Sequence, residues 1–231
     1  HPMNAYVALR TYTAGKGNRG NLVWYPVQSI SDALESAFYL CFGNIEPSGK
    51  NIMLALDISG SMGTFYQCYG SKAMNGLMGV PGFTPYEAET VMAMSYIRSE
   101  ANVITRTFSS EFADPNIGKH DSFASALKKI QRLGNYMAGT DCSLPFVKAQ
   151  KDRLPIDCFM TFTDNETWQG EKHASIALKE YRQSSGRNAT SVVCAMTATN
   201  FTIADPLDPR SIDVVGLDTS VPQIIRELAL R

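Results

Sequence analysis

No stretch of the 231-residue sequence comes near the roughly 20 uninterrupted apolar residues that a membrane-spanning helix needs. A basic excess is missing too: 21 Lys and Arg stand against 22 Asp and Glu, for a formal net charge of −1. The chain as a whole therefore lacks the cationic surplus that drives phosphate binding, and it is not an obvious nucleic-acid binder by itself. Paired cysteines are lacking as well. Cys41, Cys68, Cys142, Cys158 and Cys194 are scattered with no CxxC, and their odd number speaks against a disulfide framework. These absences predict a soluble protein in an intracellular, cytoplasmic setting with no membrane contact. The first residue is His1 rather than Met and no charged-then-apolar leader follows, as expected of a fragment of something longer. N-x-S/T sequons at Asn165, Asn188 and Asn200 are short patterns that arise often by chance.

What is present is an alternation of two periodicities. Nearly continuous apolar runs recur at 52–58, 102–108, 158–164, 191–197 and 212–218, each read as a parallel strand covered on both faces. Helical patterns at 84–100, 121–134, 173–186 and 220–231 separate them, with Asp121 as the expected N-cap and Gly134 as the stop of the second. Upstream, Pro2 opens a short helix, and a further helix groups Ile30, Leu34, Ala37, Phe38 and Cys41 on one face, expected to lie on the sheet. The alternation predicts an α/β domain with a doubly wound, mostly parallel sheet flanked by helices. Residues 65–83, rich in glycine and aromatics, read as a long loop, and such loops are functional or mobile.

The chemistry gathers in "NIMLALDISGSMGT", residues 51–64, where an apolar strand ends on Asp57 and hydroxyls follow at Ser59 and Ser61. In an open parallel sheet, ligands collect beyond the carboxyl ends of the strands. Asp164 closes "CFMTFTD" in the same way, and the loop "MAGTDCSLP" (137–145) adds Thr140 and Asp141. Three hydroxyls and up to three carboxylates form an oxygen-only set, which suits Mg²⁺, Ca²⁺ or Mn²⁺ rather than zinc. Mg²⁺ fits best, because it keeps several waters and usually takes one or two carboxylates. The spacing of Ser59-Gly60-Ser61 lets both hydroxyls turn inward while glycine allows the backbone to pass close by.

D-x-S-x-S, then a distant Thr, then a strand-end Asp resembles the metal-ion-dependent adhesion site (MIDAS) of von Willebrand factor A domains. More specifically, "EPSGKNIMLALDISGSM", "AGTDCSLP", "FTDNETW" and "FTIADP" resemble the carboxyl-terminal A domain of the Ro ribonucleoprotein (TROVE) family, and "NRGNLVWYP" and "ALESAFY" resemble its lead-in. The resemblance implies a Rossmann-like A domain over 21–231, with 1–20 the remnant of a preceding helical-repeat domain and its linker. It implies that Ser59, Ser61 and Thr140 bind the metal directly, while Asp57 and Asp164 act directly or through water. The role of Asp141 stays open between metal and helix cap. With few direct carboxylates the ion keeps a position for an acidic side chain of a protein partner. The resemblance also implies a binding module rather than an enzyme, in a protein whose missing repeat domain binds small non-coding RNA in RNA quality control. The 65–83 stretch is longer than the family's usual connection and leaves the rim of the site open to question.

Other readings compete. The Asp57-Ser59-Ser61 turn could simply cap a helix, though capping leaves Thr140 and Asp164 unexplained. A Mg²⁺-dependent phosphatase or nuclease could use the same oxygens, although Ser59 stands where an aspartate-based phosphatase has its general acid. An interaction surface whose site no longer matters is a third reading. Gly15, Gly17 and Gly20 match G-x-G-x-x-G but follow a helix and enter an extended segment, the wrong context for a dinucleotide fingerprint. Cys142 with His120 or His173 lacks anything to orient a base and reads as a small buried or half-buried residue. Lys128, Lys129, Arg132, Lys148, Lys151 and Arg153 read as solvated faces rather than an RNA patch.

Overall fold

A computed structural model of the chain describes residues 1–17, 20–63, 76–80, 82–134, 139–164, 170–196, 202–216 and 221–230. Six strands form one sheet: β1 (Asn51–Asp57), β2 (Asn102–Phe108), β3 (Phe112–Ala113), β4 (Cys158–Thr163), β5 (Thr190–Ala195) and β6 (Ser211–Val215). Their spatial order is β3-β2-β1-β4-β5-β6, all parallel except the two-residue β3, which runs antiparallel along β2. The sheet is therefore doubly wound and mostly parallel, as the alternating periodicities predict. β3 went unseen in the sequence because two residues carry no periodicity.

Among the described residues the α-helices are α1 (Pro2–Thr13), α2 (Gln28–Leu40), the one-turn α3 (Gly60–Gly63), α4 (Pro85–Ser99), α5 (Phe123–Leu133), α6 (Leu144–Lys151), α7 (Ala174–Ser185) and α8 (Val221–Leu230). Alternation along the central strand divides the core. Ile52, Leu54 and Leu56 of β1 pack under α4 and α5 with Val91, Ala126 and Ile130, while Met53 and Ala55 face Phe146 of α6 and Leu178 of α7. Both faces being covered, β1, β4 and β5 carry apolar residues without regard to parity.

Two local expectations need correction. The N-cap of α5 is Ser122, whose side chain accepts from Ser125 N; Asp121 instead accepts from Ser125 Oγ at 2.8 Å and from Lys129 Nζ. Helix α2 packs chiefly on α1 rather than on the sheet: Phe38 is its fully buried residue, seated among the rings of Tyr6, Phe42 and Phe123, while Ile30 is exposed. The glycine-rich 15–17 segment leaves α1 and enters an antiparallel bridge between Lys16 and Val23, so no helix opens on it. Helix α1 is fixed to the first turn of α4, where Tyr6 Oη donates to Glu87 Oε1 at 2.7 Å and Arg10 lies 3.4 Å from the same carboxylate. Glu87 also closes a capping box with Thr84, so one acid joins a helix start to the amino-terminal segment.

Candidate metal centre

The strand order reverses direction at β1: the chain moves from β1 to β2 on one side, then returns to place β4 on the other. That switch opens a crevice beyond the carboxyl ends of β1 and β4. Asp57 is the last residue of β1, and Asp164 follows Thr163, the last of β4. Residues 139–143, which lead into α6, cross this same edge beside the end of β2. Thr140 is buried in that crossing. The neighbouring Asp141 N–H donates to Ser109 O at 2.9 Å, and Ile58 N–H donates to Phe108 O, which ties the crossing and the β1 loop to the end of β2.

The residues of the first loop meet through specific bonds. Asp57 Oδ1 accepts from Ser59 N–H at 2.9 Å, and Ser59 Oγ lies 3.2 Å from Ser61 Oγ. The two serines approach through a helical turn, closed by Met62 N–H on Ser59 O, rather than through extended alternation. Tyr86 Oη of α4 donates to Ile58 O at 3.0 Å and reaches Ser59 O at 3.4 Å, holding the loop from beneath. The pairing of Leu56 with Phe162 sets the next residues abreast, and Thr163 Oγ1 donates to Asp57 Oδ2 at 2.6 Å. Asp141 Oδ1 accepts from both the N–H and the Oγ of Ser143, so this carboxylate shapes the turn into α6.

Electrostatics single out Asp57, which is completely buried. Burial and, next, the charge of Asp164 push its carboxyl up to about 7, against the downward pull of the bonds from Thr163 and Ser59. A rise from 3.8 to about 7 corresponds to a penalty on the order of 4 kcal/mol on the ionised form. The bonds from Thr163 and Ser59 favour the ionised form, and this penalty is what remains after they have acted. A divalent cation between Asp57 and Asp164 would remove it. The donors are oxygens alone, as hard cations require, and among the described residues no three Asp, Glu, His or Cys side chains converge on one point as a transition-metal cage would. The residues present fit a Mg²⁺-type ion held by few carboxylates and several hydroxyls.

A family model described as the Ro60 vWA domain matches residues 51–229. The chain belongs to that Ro60 von Willebrand factor A family. It is 39% identical over 229 residues to an RNA-binding protein RO60 of Deinococcus radiodurans, covering 99% of this chain and 41% of the relative. An RNA-binding protein RO60 of Caenorhabditis elegans is 37% identical over 228 residues, covering 98% of this chain and 33% of the relative. The chain thus spans about two fifths or less of these relatives' lengths. The crystal structure of the Deinococcus radiodurans Ro (RSR) protein superposes with a TM-score of 0.86 at 40% identity, covering the whole of this chain and 44% of that one.

For this Ro60-type A domain, sequence reasoning missed two contributors. Thr163 was legible only as a strand residue, although a polar residue directly before a strand-end Asp is a usable signal. Tyr86 was absorbed into an apolar helix, although a buried ring with a polar tip needs a partner for its hydroxyl. Cys142 is buried, as read from the sequence. Of the 65–83 loop, Leu77, Val80 and Phe83 are core residues joined by their own backbone bonds, while 65–75 and 81 lie outside the described residues, as do Asn165 and Asn200.

Proposed function

We propose that this chain is the cation-dependent recognition module of a Ro-type RNA-binding protein. A divalent cation, Mg²⁺ first and Mn²⁺ or Ca²⁺ as alternatives, is held by Ser59, Ser61 and Thr140 through their hydroxyls, with Asp57 and Asp164 acting directly or through water. When bound, the ion offers an open position to an anionic oxygen, supplied by an acidic side chain of a protein partner. Ser59 and Ser61 are pre-set for this by their mutual approach, Thr163 and Ser59 hold Asp57 in one rotamer, and Tyr86 fixes the loop backbone. Binding rather than catalysis is the reading, in a cytoplasmic protein whose remaining length binds small non-coding RNA and serves RNA quality control.

The observation that carries the reading is the burial of Asp57 beside Asp164 with no cationic side chain acting on it among the described residues. The relatives' names supply the RNA side of the proposal. A ligand at 100 times its dissociation constant stabilises the folded state by about 2.7 kcal/mol, which in a domain of this size raises the melting temperature by roughly 5–10 °C. Mn²⁺ should produce such a rise, and Ser61→Ala and Thr140→Ala should shrink it. Identical melting of all three proteins with and without metal would refute the site. RNA binding by the isolated chain should be weak and fade with salt, since the net charge is −1. Turnover of RNA or a phosphate ester that vanishes in Asp57→Ala would favour a Mg²⁺-dependent enzyme instead.

A further inference from the structure

Helix α4 carries a carboxyl group that the site as described does not use. Glu89 is completely buried, and among the described residues neither of its oxygens has a hydrogen-bond partner. It follows Tyr86 by three residues, so the two share one face of the helix. Tyr86 is the residue whose hydroxyl grips Ile58 O and Ser59 O, which directs this face at the cation loop. Burial first, and then the charge of Asp57, raise the pKa of Glu89 well above the ordinary carboxyl value.

A buried carboxyl whose oxygens lack hydrogen bonds destabilises the fold, and both oxygens are free to accept from a bound ligand. Among the described residues no three acidic, His or Cys side chains converge closely enough to share one ion. Glu89 is therefore excluded as a third direct ligand alongside Asp57 and Asp164. Mg²⁺ and Mn²⁺ keep several waters when bound, and the hydrogens of those waters point away from the ion and need acceptors. Outer acceptors of this kind orient the inner sphere and tune affinity.

We propose that Glu89 is the outer-sphere acceptor of the cation centre, taking hydrogen bonds from metal-bound water on the α4 side of the β1 loop. This rests on the cation site proposed above, and it makes Glu89 a positioning residue rather than a ligand.

The test is Mn²⁺ binding to the full chain, followed by calorimetry and by the electron paramagnetic resonance signal of free Mn²⁺. It compares the unmodified protein with Glu89→Gln, Glu89→Leu and Asp57→Asn. Glu89→Gln keeps the shape of the side chain and should bind Mn²⁺ about 10-fold more weakly; Glu89→Leu should approach 100-fold. The metal-free melting temperature should rise in Glu89→Leu, because the stranded polar atoms are gone, and change little in Glu89→Gln, whose amide is just as unpaired; a merely packing role would lower it in Glu89→Leu and leave Mn²⁺ affinity alone. Unchanged affinity in both Glu89 variants, with Asp57→Asn inactive in binding, overturns the inference and leaves the cation site standing. Absence of Mn²⁺ binding by the unmodified protein overturns the site and the role of Glu89 together.

Discussion

Thr163 Oγ1 donates across the β1–β4 boundary to Asp57 Oδ2 at 2.6 Å, so the last residue of one strand holds the carboxylate that ends the other. The bond exists because parallel register sets the two residues abreast at the switch in strand order. It also keeps one Asp57 oxygen occupied while the other accepts from Ser59 N–H.

Thr163→Val keeps the shape and removes the donor. A buried oxygen left without its bond costs about 1–3 kcal/mol, and the loss falls on a carboxylate that must be ionised to hold a cation. Urea unfolding should show a drop within that range, and the Mn²⁺ concentration giving half the maximal rise in melting temperature should increase. An unaltered Mn²⁺ response would make Thr163 a bystander.

Asp57→Asn separates the two burdens on this residue. The carboxyl is raised from 3.8 to about 7 in the folded chain, so the metal-free protein binds more protons folded than unfolded between those values. Its stability should therefore fall as pH rises from about 4 to about 7, then level off. Below pH 4 both states are protonated and the penalty is absent. The Asn variant should lack this decline and be the more stable protein at pH 8 without metal, yet show no stabilisation by Mn²⁺. Thermal melts across pH with a chelator, then with Mn²⁺, decide it.

The sequence made the sheet legible because a strand covered on both faces must be apolar throughout, and "IMLALDI" and "CFMTFT" admit little else. Asp57 and Asp164 were legible as strand ends for the same reason: a charge terminating such a run has to sit at an edge. Cross-strand relations were not legible. Register decides that Thr163 meets Asp57, and register is a property of two segments 106 residues apart. Helix α2 was misjudged because its single apolar stripe fits a helix as well as a sheet, and only the rings of Tyr6 and Phe123 decide the matter. Ser122 and Asp121 are both good caps, and the Lys129 partner draws Asp121 away from the helix end.

Gly170 bears on the threonine crossing. Its φ is +115°, and a Cβ there would stand 2.5 Å from Asp141 Oδ1, the oxygen that accepts from Ser143. Gly170→Ala should strain the backbone by about 1–3 kcal/mol and push the Asp141 carboxylate off its turn. Because Thr140 precedes Asp141 directly, the Mn²⁺ response should weaken along with stability. Loss of stability with a full Mn²⁺ response would show that the turn and the cation site are uncoupled.

Asp121 gives the opposite pH dependence, far from the cation loop. Its carboxylate takes hydrogen bonds first from Lys129 Nζ, and also from Gly118 N–H and Ser125 Oγ, and it is lowered from 3.8 to about 2. A depressed carboxyl stabilises the fold fully above its unfolded value, and that contribution is lost as pH falls through its folded value. The unmodified protein should lose stability between about pH 4 and pH 2 on this account. Asp121→Asn should be less stable at neutral pH, flatter across that window, and nearly equal to the unmodified protein at pH 2. Denaturant midpoints measured from pH 2 to 7 test this. Parallel curves for the two proteins would mean that the Lys129 pair, only partly shielded from water, contributes nothing to stability.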